Sequence, residues 1–461
     1  MGIGLQWVFK IVYPLIFSFV PLVLYVVFKK QTSNRIAFCA AALIIVSFSF
    51  YTDMLALPRQ QIGELFIALL ILLIVSRELA PLKKNVLLYT FGSALIVSHY
   101  SLTYIFIYLL LVSLLLLSLR PSRRYLEIIN GWGAAHLKIN LSQQEHQDPS
   151  PILEKGRPAI SLKFVAFLIV LALAWYSLSN GAPFITLLNT GQQIWNSIFS
   201  EFFSSSAIQP LATITGTQGP MTTVTKYLYY VITFFAIFGL VSVLHKRRRR
   251  PLQTTYIALS ITAAVLLIGC MTVPNFAASL NTARFYQFAE LLLAPFVVVG
   301  MCALLNILRG ALSLKGAHLS ENTALRFVVV FLAVFLLFNS GFVYTLAGET
   351  AISPAVLATN PDLTYPRWTD AEVAGAAWLH DHHGQALIYT HGYYTNLIGM
   401  TDEPSGKIIS SNVTETLNSY IFTGALPTDK QPSNVNQTTR VINAVKNRNQ
   451  IFSNGDIRIY R

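Results

Sequence analysis

Apolar residues run almost unbroken through 11–28, 36–51, 61–76, 85–99, 103–119, 161–179, 225–244, 252–273, 285–308 and 325–347. A helix needs about 20 such residues to cross about 30 Å of hydrocarbon. Each run therefore predicts a span, the second and fourth being the shortest. The expected fold is an all-α polytopic bundle of about ten transmembrane helices, forming a transmembrane domain over 1–347.

After Leu346 the pattern changes: Asn, Thr, Asp and His replace Leu and Phe. This tail, 348–461, predicts a small C-terminal α/β domain outside the membrane. Thr369-Asp-Ala-Glu372 has the spacing of a capping box, so it opens a helix that runs to His383 and stops at Gly384. Ala386 to Tyr389 and Ile408 to Ser410 read as strands, Glu415 to Phe422 and Arg440 to Lys446 as helices, and Gln450 to Tyr460 as a hairpin turned at Asn454-Gly455. Between spans, 120–163 reads as a connector with a solvated loop at 143–151. In the segment 180–224, Ile194, Trp195, Ile198, Phe199, Phe202 and Phe203 share one helical face, which fits either an interfacial anchor or a gate.

Composition agrees with the pattern: 54% of residues are hydrophobic, 11% are charged, and mean hydropathy is +0.55. The net charge of +13 would suggest nucleic acid in a chain of ordinary polarity. Here 21 of the 33 basic residues fall in alternate connectors, among them Lys29, Lys30, Arg35, Lys83, Lys84 and the His245 to Arg250 run. The other connectors and the chain start hold only Lys10, Arg59, Lys226 and Arg284. By the positive-inside pattern the first set is cytoplasmic, the tail is outside, and no nucleic acid partner is implied. The same assignment puts residue 1 outside, although its first ten residues form no signal sequence. An upstream portion with an odd number of spans would explain that orientation, so the chain is expected to be the later part of a larger membrane unit. The alternative is that the chain starts as written. Cys39, Cys270 and Cys302 lie in apolar runs without metal or disulfide spacing and read as packing residues.

Chemistry is expected where charge meets hydrocarbon. Asp53, Arg59 and Glu64 stand beside apolar runs, where an ionisable group needs a partner, a cavity or the interface. The topology brings four segments to one outer face: Asp53 to Glu64, His99-Tyr100-Ser101, Pro274 to Asn281, and Arg284 to Gln287 with Glu290. Arg59 and Arg284 could fork onto a phosphate, or form ion pairs with Glu64 and Glu290. Asp53 and His99 are the candidates for acid–base work, with packing or capping as the other role open to His99. Gln60, Glu64, Tyr100 and Tyr286 would complete a substrate-binding set with the two arginines. His380-Asp-His-His383 ends a helix, where imidazolium is favoured in any case, and its consecutive side chains diverge. No metal or other cofactor is therefore expected; a divalent metal stays open, with Asp53 as the candidate ligand, but no spacing supports one. Phosphate-binding loops and the serine and zinc hydrolase motifs are absent. Asn412-Val-Thr and Asn436-Gln-Thr are possible N-glycosylation sequons.

Lys10-Ile-Val-Tyr-Pro-Leu15, Pro58-Arg-Gln-Gln-Ile-Gly-Glu-Leu-Phe66, Ser98-His-Tyr-Ser101, Leu280-Asn-Thr-Ala-Arg-Phe-Tyr286 with Ala294-Pro295, and Asn454-Gly-Asp-Ile-Arg-Ile-Tyr460 resemble archaeal multispanning proteins of a family of unknown function. That family is similar in turn to GT-C glycosyltransferases. The resemblance implies a membrane enzyme that uses polyprenyl-phosphate-linked sugars. It also implies an acidic residue in the first outer loop after the first span; no segment here matches that loop, which the resemblance assigns to the upstream portion. The competing classes are a transporter or flippase of lipid-linked glycans and a non-catalytic membrane partner.

Overall fold

The computed structural model describes residues 7–50, 54, 57–118, 160–179, 185, 192, 219–245, 252–272, 282–311, 321–348, 368–384, 386–390, 394, 397–399, 407–408, 419–424, 445–446 and 448–461. At 245, 270–272, 282–284, 310–311, 321 and 407–408 it describes the backbone alone. The chain divides into two units, Met1–Ser353 and Pro354–Arg461.

In the first unit every apolar run lies on a helix. They are α1 (Val8–Lys29), α2 (Asn34–Val46), α3 (Pro58–Val75), α4 (Pro81–Ser98), α5 (Tyr100–Ser118), α6 (Leu162–Ser179), α7 (Pro220–His245), α8 (Thr254–Thr272), α9 (Thr282–Ala311) and α10 (Glu321–Asn339), with a short α11 (Phe342–Ala347). Pro58 and Pro81 open α3 and α4, where a missing N–H costs nothing and the fixed φ suits the first turn. Among the described residues, six helices are long and apolar enough to cross a membrane: α1, α3, α5, and the stretches Pro220–Leu244, Phe285–Arg309 and Asn322–Asn339. Asn34–Val46, Leu162–Leu178 and Thr254–Gly269 are shorter apolar helices.

Two runs break before their expected ends. The run 36–51 leaves the regular helix at Ser47, whose backbone is extended (φ −70°, ψ 136°). The run 325–347 breaks at Gly341, whose φ of 78° favours glycine. The α2 break sits among apolar helices, so its freed backbone groups need partners from the protein. Asn339 Nδ2 donates to the Val46 carbonyl at 3.0 Å, the Phe48 N–H donates to Tyr229 Oη at 3.2 Å, and the Tyr229 hydroxyl donates to Asn339 Oδ1 at 3.1 Å.

Helix α9 is the axis of the bundle and packs against α2, α7, α8 and α10. It meets α7 almost backbone to backbone. A Cβ on Gly239 would lie 1.8 Å from the Phe296 carbonyl oxygen, and one on Gly300 would lie 2.2 Å from that of Phe235. Small residues permit this closeness, which replaces a hydrophobic driving force with van der Waals contact. Pro295 interrupts the hydrogen bonds inside α9. One turn earlier the buried Tyr256 hydroxyl donates to the Leu292 carbonyl at 2.8 Å, supplying a donor from α8.

Among the described residues, basic side chains of the connectors at 29–35 and 77–84 meet at one end of the bundle. Lys30 Nζ lies 2.6 Å from Glu78 Oε1, and Lys84 Nζ donates to the Ile74 and Ser76 carbonyls at 3.2 and 2.8 Å. Gln253 joins α8 to the same end, donating to the Val75 carbonyl and to Gln31 Oε1, and Arg35 donates to Asn322 Oδ1.

In the second unit, α12 (Asp370–His382) packs by Gly375 on Ile457 of a mixed sheet. The strands are β1 (Leu387–Thr390), β2 (Lys407–Ile408), β3 (Ser419–Gly424), β4 (Gln450–Ser453) and β5 (Ile457–Tyr460), in the order β2-β1-β3-β5-β4. β1 is parallel to β2 and β3, while β5 is antiparallel to β3 and β4. The expected capping box is formed: the Glu372 N–H donates to Thr369 Oγ1 at 3.1 Å and the Thr369 N–H to Glu372 Oε2 at 2.7 Å. The expected hairpin turns through Gly455 at φ 98°. The helix expected over Glu415 to Phe422 is corrected: 419–422 belongs to the central strand β3. Tyr420, Ile421 and Phe422 are buried between β1 and β5, and pairing on both edges overrides the local helical pattern. Of the helix expected at 440–446 only 445–446 is described, with Val445 helical.

Candidate functional site

The first two turns of α3 turn one polar face inward. Gln60 and Glu64 are four residues apart, hence on one side of the helix, and Gln60 Nε2 donates to Glu64 Oε1 at 3.1 Å. Gln61, one position on, faces elsewhere and donates to the Met54 carbonyl at 2.5 Å. From α9, Gln287 Nε2 donates to Glu64 Oε2 at 2.9 Å. Gln60, Glu64 and Gln287 are each 1% exposed, so the carboxyl lies in protein and both its oxygens accept from amides.

Glu290 lies one turn beyond Gln287 on the same face of α9. Its Oε1 accepts from Ser47 Oγ at 2.6 Å, at the point where α2 breaks. The structure thus joins α2, α3 and α9 through two carboxyls, Glu64 and Glu290. These stand about 9 and 12 Å along their helices, at about 1.5 Å per residue. Hydrocarbon depth makes such groups expensive unless protein supplies partners.

Arg59 is exposed and pairs with neither carboxyl. Of the two alternatives, the ion pair with Glu64 is not formed. The helical backbone of Arg284 opens α9, while its side chain and that of Asp53 lie outside the described residues, as does the 274–281 connector.

His99 links α4 to α5. Its Nδ1 accepts from the Leu102 N–H at 3.3 Å and its carbonyl from the Thr103 N–H at 3.1 Å, so it caps α5. The ring stacks on Tyr100 at 5.5 Å, and Tyr100 meets Tyr104 and Tyr176 edge-on. A Cβ on Gly63 would lie 3.2 Å from His99 Cβ, which sets His99 against the turn of α3 that carries Glu64. Tyr286 packs edge-on against Tyr229 and lines, with Glu290, a small cavity between α7, α8 and α9.

In the second unit, His382 stacks on Trp378 with centroids 4.3 Å apart, and His383 Nδ1 lies 3.2 Å from the Ala386 carbonyl oxygen. Among the described residues no three His, Cys, Asp or Glu side chains are grouped to hold a metal. Asn412 and Asn436 lie outside the described residues, as does the 194–203 segment.

Ser47, Tyr229, Thr233 and Asn339 escape sequence reasoning. Each is a neutral polar residue in or beside an apolar run; their only signal is polarity at positions where a span is expected to be apolar.

No curated protein matches the chain. Solved structures similar to the chain at low identity include two of an archaeal oligosaccharyltransferase. The archaeal oligosaccharyltransferase AglB from Archaeoglobus fulgidus, in complex with an inhibitory peptide and a dolichol-phosphate, aligns over 91% of this chain and 58% of its own, at 11% identity and a TM-score of 0.45. The Archaeoglobus fulgidus oligosaccharyltransferase in the apo form aligns over 91% of this chain and 59% of its own, at 12% identity and a TM-score of 0.43. The chain therefore spans less than two thirds of the length of either. Residues 84–460 match the family described as predicted membrane protein (DUF2206), and the chain belongs to that family.

Proposed function

We propose that the chain is a GT-C-like membrane protein that handles polyprenyl-phosphate-linked sugars at the membrane face opposite its basic connectors. The observation that carries this reading is the state of Arg59. It is exposed in the first turn of α3, while the carboxyl one turn away is held by Gln60 and Gln287. An arginine left clear of a nearby carboxylate keeps its planar fork for a phosphate, and the helix start adds backbone N–H groups of the same polarity. Family membership as a predicted membrane protein and the sequence resemblance to GT-C-like proteins support the same reading.

In this scheme Arg59 and Arg284 bind the lipid phosphate and Tyr100 lines its approach, while the buried Gln60 and Glu64 and the buried Tyr286 hydroxyl support it from within the bundle. Asp53 and His99 supply acid–base groups. The basic connectors face the cytoplasm and the unit after residue 348 faces out, which leaves Asn412 and Asn436 open to glycosylation. The test is retention of a polyprenyl phosphate by the purified full chain. Arg59→Lys keeps the charge and loses the fork, so affinity should fall about ten-fold or more, the equivalent of one charge-assisted hydrogen bond. Equal retention by wild type and R59K would make Arg59 a surface cation with no such role.

Burial of both Glu64 and Glu290 within the bundle favours a second reading, a transporter or flippase of lipid-linked glycans, because ionisable groups at this depth often mark a transport path. Translocation of a fluorescent lipid-linked sugar across proteoliposomes without transfer of the sugar would favour it.

A further inference from the structure

We infer that His99 donates a hydrogen bond from Nε2 to the phosphate of the lipid-borne substrate, beside the Arg59 guanidinium. The inference rests on the lipid-phosphate reading above and narrows the acid–base role of His99 to the donor side.

The tautomer follows from the way α5 begins. His99 has an extended backbone (φ −156°, ψ 112°), and its carbonyl accepts from the Thr103 N–H at 3.1 Å. Its Nδ1 accepts from the Leu102 N–H at 3.3 Å. These are the marks of a helix N-cap, with a ring nitrogen standing where a Ser or Asn oxygen ordinarily accepts. An amide hydrogen aimed at Nδ1 requires a bare lone pair there, so the ring carries its hydrogen on Nε2. A base acting through Nε2 would need the opposite arrangement. Stacking on Tyr100, with the ring planes 7° apart, fixes the plane in which the Nε2–H points.

Position supplies the partner. A Cβ on Gly63 would lie 3.2 Å from His99 Cβ and 2.9 Å from Leu102 Cδ1, so the side of α3 that carries Gly63 faces the α4–α5 junction. Arg59 is four residues earlier, on that same side and about 6 Å nearer the helix start. The exposed arginine and the half-buried histidine thus stand one turn apart in level at the beginning of α3. A guanidinium fork fills two acceptor positions of a phosphate, which has several more. A donor held by its own helix cap adds direction to that recognition without adding charge.

The test separates the two ring nitrogens. Asparagine at this position keeps an acceptor near the place of Nδ1 and is a favoured N-cap, whereas glutamine brings an amide N–H near the place of Nε2. Binding of undecaprenyl phosphate and of undecaprenol to the full chain in nanodiscs is compared among wild type, Arg59→Lys, His99→Asn and His99→Gln. His99→Asn should keep wild-type thermal stability and weaken phosphate binding about ten-fold or more, the equivalent of one hydrogen bond to a charged group, with undecaprenol unaffected. His99→Gln should keep most of the phosphate affinity and melt at a lower temperature. In nitrogen NMR spectra of histidine-labelled protein, the signals that H99N removes should show a bare Nδ1 and a hydrogen on Nε2. Wild-type phosphate affinity in H99N, or a ring hydrogen found on Nδ1, overturns the inference; should H99Q not fold, these two measurements decide. Loss of phosphate preference in R59K alone would leave the lipid-phosphate site standing without His99. No preference for the phosphate in wild type would remove both.

Discussion

Gln287 and Glu64 stand 223 positions apart in sequence and are joined by a 2.9 Å hydrogen bond in which the Gln287 amide donates to Glu64 Oε2. The bond ties α9, the axis of the bundle, to the polar start of α3. Gln287→Leu leaves a buried carboxyl oxygen without its donor, and the expected loss is about 1 to 3 kcal/mol. A double-mutant cycle with Glu64→Gln should show coupling, measured by thermal unfolding in detergent. Strict additivity would mean that the two side chains contribute independently.

The α7–α9 contact predicts intolerance to side chains. Gly239→Ala would bring a Cβ to 1.8 Å from the Phe296 carbonyl oxygen, and a backbone atom cannot swing away as a side chain can. Overpacking costs about 1 to 3 kcal/mol in ordinary cores and occasionally more, and here the upper end or beyond is expected. Size-exclusion profiles should show loss of the monodisperse species for G239A and for Gly300→Leu. Gly269→Ala, which meets nothing within 4 Å, serves as the tolerated control.

Asn339 and Tyr229 hold the backbone where α2 breaks. Hydrogen bonds between membrane helices average about 0.6 kcal/mol and reach about 1.7. Asn339→Ala should fall in that range, near the top because two bonds are lost. Tyr229→Phe in the N339A background should cost less than in the wild type. Full additivity of the two losses would contradict the network.

In the second unit, Thr369→Ala removes the capping-box hydroxyl and should cost about 1 kcal/mol. Hydrogen exchange of amides in α12 should quicken while exchange in α9 stays unchanged. Faster exchange in both would point to a change beyond the cap.

What could be read from the sequence divides by the range of the interactions concerned. The capping box at Thr369 and the turn at Gly455 are local, decided within four residues, and both stand where the sequence puts them. Tyr420, Ile421 and Phe422 were misjudged because their environment is set by β1 and β5, distant in sequence. The helical runs were legible because lipid imposes one pattern on all of them, yet the end of α2 at Ser47 was not. Asn339 and Tyr229 hold that break together with Glu290, and no spacing announces the first two. Glu64 stands out as a charge against hydrocarbon, and the topology brings the Arg284 to Gln287 segment to the same face, but a neutral amide gives no sign in the sequence that it bonds to Glu64.

The most direct test of the lipid-phosphate reading compares two ligands that differ only at the head, a polyprenyl phosphate and the corresponding polyprenol, binding to the purified full chain in nanodiscs. Recognition through Arg59 predicts that the phosphate binds about ten-fold more tightly or better, because each charge-assisted hydrogen bond contributes about 1.5 to 3 kcal/mol, and that Arg59→Lys narrows the gap without weakening the polyprenol. Equal affinity for the two lipids, or a phosphate preference that R59K leaves intact, would contradict the account.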